Sequence, residues 1–225
     1  VQQSGEEAPF MQYVTGTPVS EVNPHYLRFT AKAAGQGFAN KAYDGIRLEK
    51  DHTYRVSFYA RCVAYEGDTF QIKVIKDGQV FAEAAVNAVK PVPYVPFCDL
   101  KIPMEIGYGT LNPEIQHIRE MDQSGKCRRS EWIKYEVVLT AQDDVRGAQF
   151  AITFDVPGIV EFDLISMIPE DAVAGIFRKD LFEALQAIKP GFVRFPGGCI
   201  VEGISLDNRY YWKNTVGDVK DRRYI

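Results

Sequence analysis

The chain of 225 residues has little cysteine and little histidine, and neither is arranged for metal or redox chemistry. Cys62, Cys98, Cys127 and Cys199 form no C-x-x-C pair, which excludes zinc ribbons and thioredoxin-like motifs. They read as four free thiols; in an oxidising compartment Cys98 and Cys127 are the pair that could join. His25, His52 and His117 stand at no helical or finger spacing, so no metal site is expected. There is no G-x-S-x-G elbow and no P-loop. Gly35-Gln36-Gly37-Phe38 lacks the third glycine of a dinucleotide fingerprint and reads as a turn. No apolar run approaches a membrane span, and a net charge of -4 supplies no basic field for nucleic acid. The chain opens Val1-Gln2-Gln3-Ser4 with no initiator methionine and no secretory leader, as a processed or excised piece would. Its start therefore says nothing of location.

What is present is ordinary globular composition: 46% hydrophobic, 12% aromatic and 25% charged residues. That excludes disorder and is ample for one sizeable core. Residues 25 to 168 read as β structure. Tyr54, Val56, Phe58, Ala60 and Cys62 fall on one face of a strand, and Arg55, Ser57, Tyr59 and Arg61 on the other. A period of two with one apolar face marks a half-buried antiparallel strand. Phe70, Ile72 and Val74 repeat the pattern, and Asp77-Gly78 supplies a hairpin turn before Val80-Phe81. Ile133, Tyr135, Val137 and Leu139 alternate with Lys134, Glu136 and Val138, and Phe150, Ile152 and Phe154 with Ala151 and Thr153; Pro157-Gly158 turns the chain into Ile159 to Ile168. The pattern predicts a mainly β fold, a jelly-roll-like antiparallel β-sandwich. Tyr54, Val56, Phe58, Ile133, Tyr135, Val137, Phe150, Ile152 and Phe154 should face inward. Arg55, Ser57, Lys134 and Glu136 should face solvent. Tyr59 and Tyr65 are the candidates for exposed rings that stack on sugars, against a packed role for both.

Residues 87 to 131 break the rhythm with Pro91, Pro93, Pro96, Pro103 and Pro113. They read as a long insertion, with one edge strand near Phe97 to Ile102. After Ile168 the grammar changes. Leu181, Phe182, Leu185 and Ile188 make one face of a helix, which Pro190-Gly191 ends. Phe192-Val193-Arg194-Phe195 reads as a short apolar strand and Pro196-Gly197-Gly198 as a turn. Helix, strand and glycine turn form an α/β unit, so a boundary is expected near 168 to 175. Residues 1–168 form the sandwich and 169–225 a second segment.

An arginine at a strand end before Pro-Gly-Gly sends its guanidinium toward the carboxyl end of that strand, where parallel α/β barrels place their active sites. The glycines let backbone approach a ligand. An arginine there can hydrogen-bond a carboxylate and keep it ionised. The same residues also fit a structural ion pair and a plain turn.

The run Val193-Arg194-Phe195-Pro196-Gly197-Gly198-Cys199-Ile200-Val201-Glu202-Gly203, with Tyr211-Trp212-Lys213-Asn214-Thr215-Val216-Gly217 after it, resembles the family 51 glycoside hydrolases, the α-L-arabinofuranosidases. Phe162-Asp163-Leu164-Ile165-Ser166-Met167-Ile168-Pro169, Arg178-Lys179-Asp180-Leu181 and Ile188-Lys189-Pro190 are similar too. Asn23-Pro24-His25-Tyr26-Leu27-Arg28, Gly37-Phe38, Asp44-Gly45-Ile46 and Trp132-Ile133-Lys134-Tyr135 resemble the carbohydrate-binding-module-like sandwich of the same enzymes.

The resemblance implies a retaining glycosidase on a (β/α)₈ barrel, without a cofactor, that removes terminal α-L-arabinofuranosyl groups from arabinan or arabinoxylan. Retention needs two carboxyl groups about 5–5.5 Å apart. In the family these are glutamates on later barrel strands, and neither motif occurs here. The stretch after Ile168 is also far shorter than the roughly 250 residues of a barrel. The expectation is a fragment: the sandwich and the opening α/β segment of an incomplete barrel, inactive by itself and holding no catalytic residue. Residue by residue, Arg194 matches the arginine that hydrogen-bonds the nucleophile, Cys199 a position lining the arabinose subsite, and Gly197 and Gly198 the turn between them. Glu202 gains no catalytic role from the match, and Trp132 corresponds to a sandwich tryptophan expected in the core. The implied partner is an arabinose-containing polysaccharide or oligosaccharide, with neither nucleic acid nor membrane; that substrate class favours a periplasmic or extracellular location. The competing readings are a non-catalytic carbohydrate-binding module and a structural accessory domain. An incomplete barrel exposes apolar residues. A helix over 178 to 189 is therefore expected to dock on the sandwich through Leu181, Leu185 and Ile188. The segment after Pro190 should be less ordered or pair with another copy through self-association of the tail.

Overall fold

The computed structural model describes residues 8–89, 131–195 and 197–222. The expected edge strand at Phe97 to Ile102 and the Cys98–Cys127 pairing lie outside them. Among the described residues ten strands form two antiparallel sheets: β1 Phe10–Val14, β2 Tyr26–Ala31, β3 Gly37–Asn40, β4 Ile46–Leu48, β5 Thr53–Tyr65, β6 Thr69–Lys76, β7 Gln79–Asn87, β8 Ile133–Thr140, β9 Val145–Phe154 and β10 Gly158–Pro169. One sheet has the order β1-β2-β10-β5-β8. The other runs β3-β9-β6-β7, with β4 also on β9. The chain crosses between the sheets after β2, β4, β5, β7, β8 and β9, so the first sheet holds the first and last of these strands beside the middle one, β5. This is the sandwich that the alternation predicts.

The pleat decides which residues meet. Tyr54, Val56, Phe58 and Ala60 of β5 are buried, as are Phe70, Ile72 and Val74 of β6 and Phe150, Ile152 and Phe154 of β9. Rings dominate the space between the sheets. Phe58 stacks on Tyr135 at 5.1 Å, Phe29 on Phe154 at 5.2 Å, and Phe162 meets Phe38 edge-on at 5.2 Å. Each such pair adds about 0.5–1.5 kcal/mol beyond area burial. Ile133 and Val137, near the rim, are half-buried. Asp77 at φ 50° and Gly78 at φ 81° make the two-residue turn that joins β6 to β7, as the right-handed twist of a hairpin favours.

For Tyr65 the packed role holds, and two expectations need correction. Tyr65 is fully buried, and its hydroxyl donates to the Thr69 carbonyl at 2.6 Å, so it offers no ring to a sugar. Ser57 is half-buried rather than exposed. Trp132 packs outside the first sheet, not between the sheets. There its Nε1 donates to the Thr17 carbonyl at 2.8 Å, its ring meets Tyr26 edge-on, and the Arg61 guanidinium lies 4.7 Å above it. The physical reason is a covered outer face. Arg61 shares the outward side of β5 with Arg55 and Tyr59, yet it is buried. Fully buried Glu161 of β10 accepts from Arg61 and, at 2.5 Å, from Arg28 of β2. Arg61 also donates to Thr17 at 2.5 Å and to the Tyr26 hydroxyl at 2.9 Å. A buried carboxylate is tolerated because two guanidiniums saturate it.

Candidate functional site

β10 ends at Pro169, and the next regular element is helix α1, Lys179–Ile188. Arg178 donates from Nε and Nη2 to Asp180 at 3.1 and 2.5 Å, which places a carboxylate in the first turn. The helix stops at Lys189, in the left-handed conformation at φ 50°, just before Pro190, as a proline following the C-cap requires. The helix is therefore where the sequence placed it. Its docking is not: every residue of α1 is exposed, with Leu181 at 55%, Leu185 at 63% and Ile188 at 72%. The expected contact face is left uncovered by the described residues.

The segment after α1 does not form the short strand that its residues suggest, but it is left uncovered, as was expected of an incomplete barrel. Phe192-Val193-Arg194-Phe195 pairs with no strand, and Phe192, Val193 and Phe195 are each more than 80% exposed. A parallel strand is held by neighbours on both sides, and no other strand among the described residues lies beside it.

Within this segment the structure brings together the residues singled out by sequence. The Arg194 side chain folds back over the turn, so that a Cβ on Gly197 would sit 3.8 Å from its Nε. Gly198 has φ 73°, a left-handed conformation that costs a glycine nothing. It caps helix α2, Cys199–Glu202, and the Cys199 thiol at its start is free and exposed. Arg194 makes no hydrogen bond or ion pair among the described residues. Its planar five-donor guanidinium is open to a carboxylate. Glu202 is exposed at the far end of α2 and likewise unpaired among the described residues. No group of three or more metal-ligating side chains gathers among those residues either.

One supporting residue escaped the sequence reading. Gly203 closes α2 at φ 66°, and a Cβ there would lie 2.6 Å from Asn208 Oδ1. That oxygen accepts the backbone N–H groups of Ile204 and Ser205, each at 2.8 Å. Asn208 thus ties the loop that follows the arginine turn. The signal was there in Asp207-Asn208, since asparagine side chains replace backbone partners in turns, but nothing in sequence said which amides they meet. Phe195 also touches Tyr210 edge-on at 6.3 Å, which joins the two quoted runs in space.

Comparison with known proteins adds to this geometry. Residues 184–225 match a family model described as the α-L-arabinofuranosidase 1 domain. The chain is 45% identical over 191 residues to α-L-arabinofuranosidase 1 of Arabidopsis thaliana, covering 84% of this chain and 23% of that protein. It is 34% identical over 105 residues to the extracellular exo-α-L-arabinofuranosidase of Streptomyces chartreusis, covering 40% of this chain and 12% of that one. In fold it is similar to an arabinose-bound family 51 α-L-arabinofuranosidase, with a TM-score of 0.70 at 20% identity over 96% of this chain and 31% of the other. The chain spans less than a third of the length of each of these relatives.

Proposed function

Because this chain belongs to the family of the α-L-arabinofuranosidases, we propose that it forms their sandwich and the arginine-bearing start of their catalytic barrel, with the boundary at residues 168 to 175. The end of β10 at Pro169 and the change to helices from Lys179 support that boundary. The observation that carries the reading is the match of residues 184–225 to the arabinofuranosidase domain, which contains Arg194, Gly197, Gly198 and Cys199. The reaction is the retaining hydrolysis of terminal α-L-arabinofuranosyl groups of arabinan or arabinoxylan.

In this reading Arg194 is a positioning residue. A nucleophilic carboxylate must be ionised at the moment of attack, and a guanidinium hydrogen-bonded to it lowers its pKa and fixes its orientation. Gly197 and Gly198 remove the side chains that would keep that carboxylate or the sugar away. Cys199 presents a small, weakly polar wall to the arabinose ring. The nucleophile and the acid/base are carboxyl groups outside this chain, and Glu202 is structural. The chain alone therefore does not hydrolyse an aryl α-L-arabinofuranoside. Its uncovered tail face, from Leu181 to Phe195, drives self-association of the isolated chain.

The test is a chimera of the Arabidopsis relative that carries residues 188–217 of this chain. It should hydrolyse the aryl substrate. In it, Arg194→Lys should lower kcat by about a hundred-fold, the scale of losing one oriented donor, with little change in KM. Glu202→Gln should leave kcat nearly unaltered. A folded but silent chimera, or turnover by the 225-residue chain that Glu202→Gln abolishes, would overturn the assignment.

A further inference from the structure

The chain leaves the arginine turn at Phe195 and comes back to it at Tyr210, whose ring meets that of Phe195 edge-on at 6.3 Å. Between the two rings lie Gly197, Gly198, helix α2 and the loop from Gly203 to Arg209. Among the described residues of this stretch, Gly203 and Tyr210 are half-buried and the others exposed. A loop whose ends touch in this way is packed by its own side chains rather than by a neighbouring element.

The packing inside it centres on one side chain. Asn208 Oδ1 accepts the N–H groups of Ile204 and Ser205, each at 2.8 Å, and the Ser205 hydroxyl at 3.4 Å. The same residue and the next press on Gly203, where a Cβ would lie 2.6 Å from Asn208 Oδ1 and 2.7 Å from the Arg209 nitrogen. Gly203 also ends α2, donating its N–H to the Cys199 carbonyl at 3.1 Å. On one side, then, Asn208 packs on Gly203 and Gly203 bonds Cys199. On the other, the chain runs through Arg209 to Tyr210 and so to Phe195, the neighbour of Arg194. The Tyr210 hydroxyl lies 3.4 Å from Thr215 Oγ1, which donates to the Trp212 carbonyl at 2.6 Å. A side-chain oxygen that stands in for backbone carbonyls fixes a turn, and truncating it takes that partner from two amides.

We propose that Asn208 is a positioning residue: packed on Gly203, it closes the loop and so fixes the place of Arg194 and Cys199. This role rests on the assignment of Arg194 as the partner of the nucleophile. A guanidinium keeps a carboxylate ionised only while its donors stay aimed at it. Loosening the loop therefore raises the pKa of the nucleophile. The acid limb of the kcat/KM profile, which reports the groups of the free enzyme, then moves to higher pH. Loss of folded protein alone would lower the rate at every pH and leave that limb in place.

Two experiments test this separately. On the 225-residue chain, the Ile204 and Ser205 amides should exchange about ten-fold more slowly than unstructured amides, with a nuclear Overhauser contact between the Phe195 and Tyr210 rings. Asn208→Ala should abolish both, and Asn208→Asp, which keeps the acceptor oxygen, should retain them. In the active chimera, Asn208→Ala and Gly203→Ala should each lower kcat about ten-fold and move the acid limb upward, and Asn208→Asp should recover the lost rate. Unprotected amides in the parent chain overturn the proposal, as does an active chimera in which Asn208→Ala changes neither kcat nor the limb. A folded but silent chimera overturns the assignment of Arg194 instead, while the exchange rates still decide whether Asn208 closes the loop.

Discussion

At the scale of single residues, the fully buried Glu161 carries a desolvation cost that its partners must offset. Its two guanidinium partners come from strands on either side of β10, so the cluster stitches β2, β10 and β5 through their outer face. Removing one member of a buried pair leaves an uncompensated charge and costs about 3–5 kcal/mol. Glu161→Ala should therefore lower the unfolding free energy obtained from denaturant titration by that amount, because Arg61 stays buried without its carboxylate. A loss below about 1 kcal/mol would mean that water reaches Arg61. The thiols give a second check. Burial pushes the Cys62 thiol up to about 11, so at neutral pH it holds almost no thiolate, the reactive form. Cys199 is exposed. Brief alkylation of the native chain at pH 7.5, mapped by mass spectrometry, should label Cys199 and leave Cys62 untouched until unfolding.

At the scale of elements, the contrast between β5 and α1 is instructive. Both carry an apolar face of the right period, but only β5 finds an opposite face. β5 lies in a sheet closed on one side by β6, β9 and their rings, whereas α1 has no buried residue. Substitution on α1 should therefore leave the sandwich unaffected. Leu185→Glu is expected to shift the unfolding free energy by no more than about 0.5 kcal/mol, as exposed positions do, and to abolish concentration-dependent association in sedimentation equilibrium. A destabilisation above 1 kcal/mol would restore the docked helix that the sequence pattern suggested. The amphipathic period says that a face wants cover; it does not say which element supplies it.

At the scale of the whole molecule, the buried core cluster draws on residues from Phe29 to Phe162, with Met167 packed at its edge, and on nothing from the tail. A chain ended after Gly175 should consequently unfold in one cooperative transition, at the same midpoint as the 225-residue chain by far-UV circular dichroism. A midpoint lower by several degrees would show that the tail stabilises the sandwich. The likeness to a family 51 enzyme covers nearly all of this chain at a TM-score of 0.70.

The alternation of Tyr54 to Ala60, Phe70 to Val74 and Phe150 to Phe154 was enough to establish two apolar faces and hence a sandwich, because a period of two leaves a strand no other buried side. The Asp77-Gly78 turn and the end of α1 at Pro190 were also legible, being local in their physics. So was the arginine turn, whose residues 194 to 199 sit together because they are neighbours in sequence. The strands β1, β3 and β4 were not legible: they are short, and pairing with β2 and β9 creates them. Tertiary structure alone decided that Arg61, on a polar face, would be buried by Trp132 and Thr17. It alone matched Glu161 with partners 133 and 100 residues away. It also shifted the β10–β5 pairing at two places and left one oxygen of Asp163 with no hydrogen-bond partner among the described residues. Those outcomes depend on what packs across a sheet from distant parts of the chain, and no local pattern of residues encodes that.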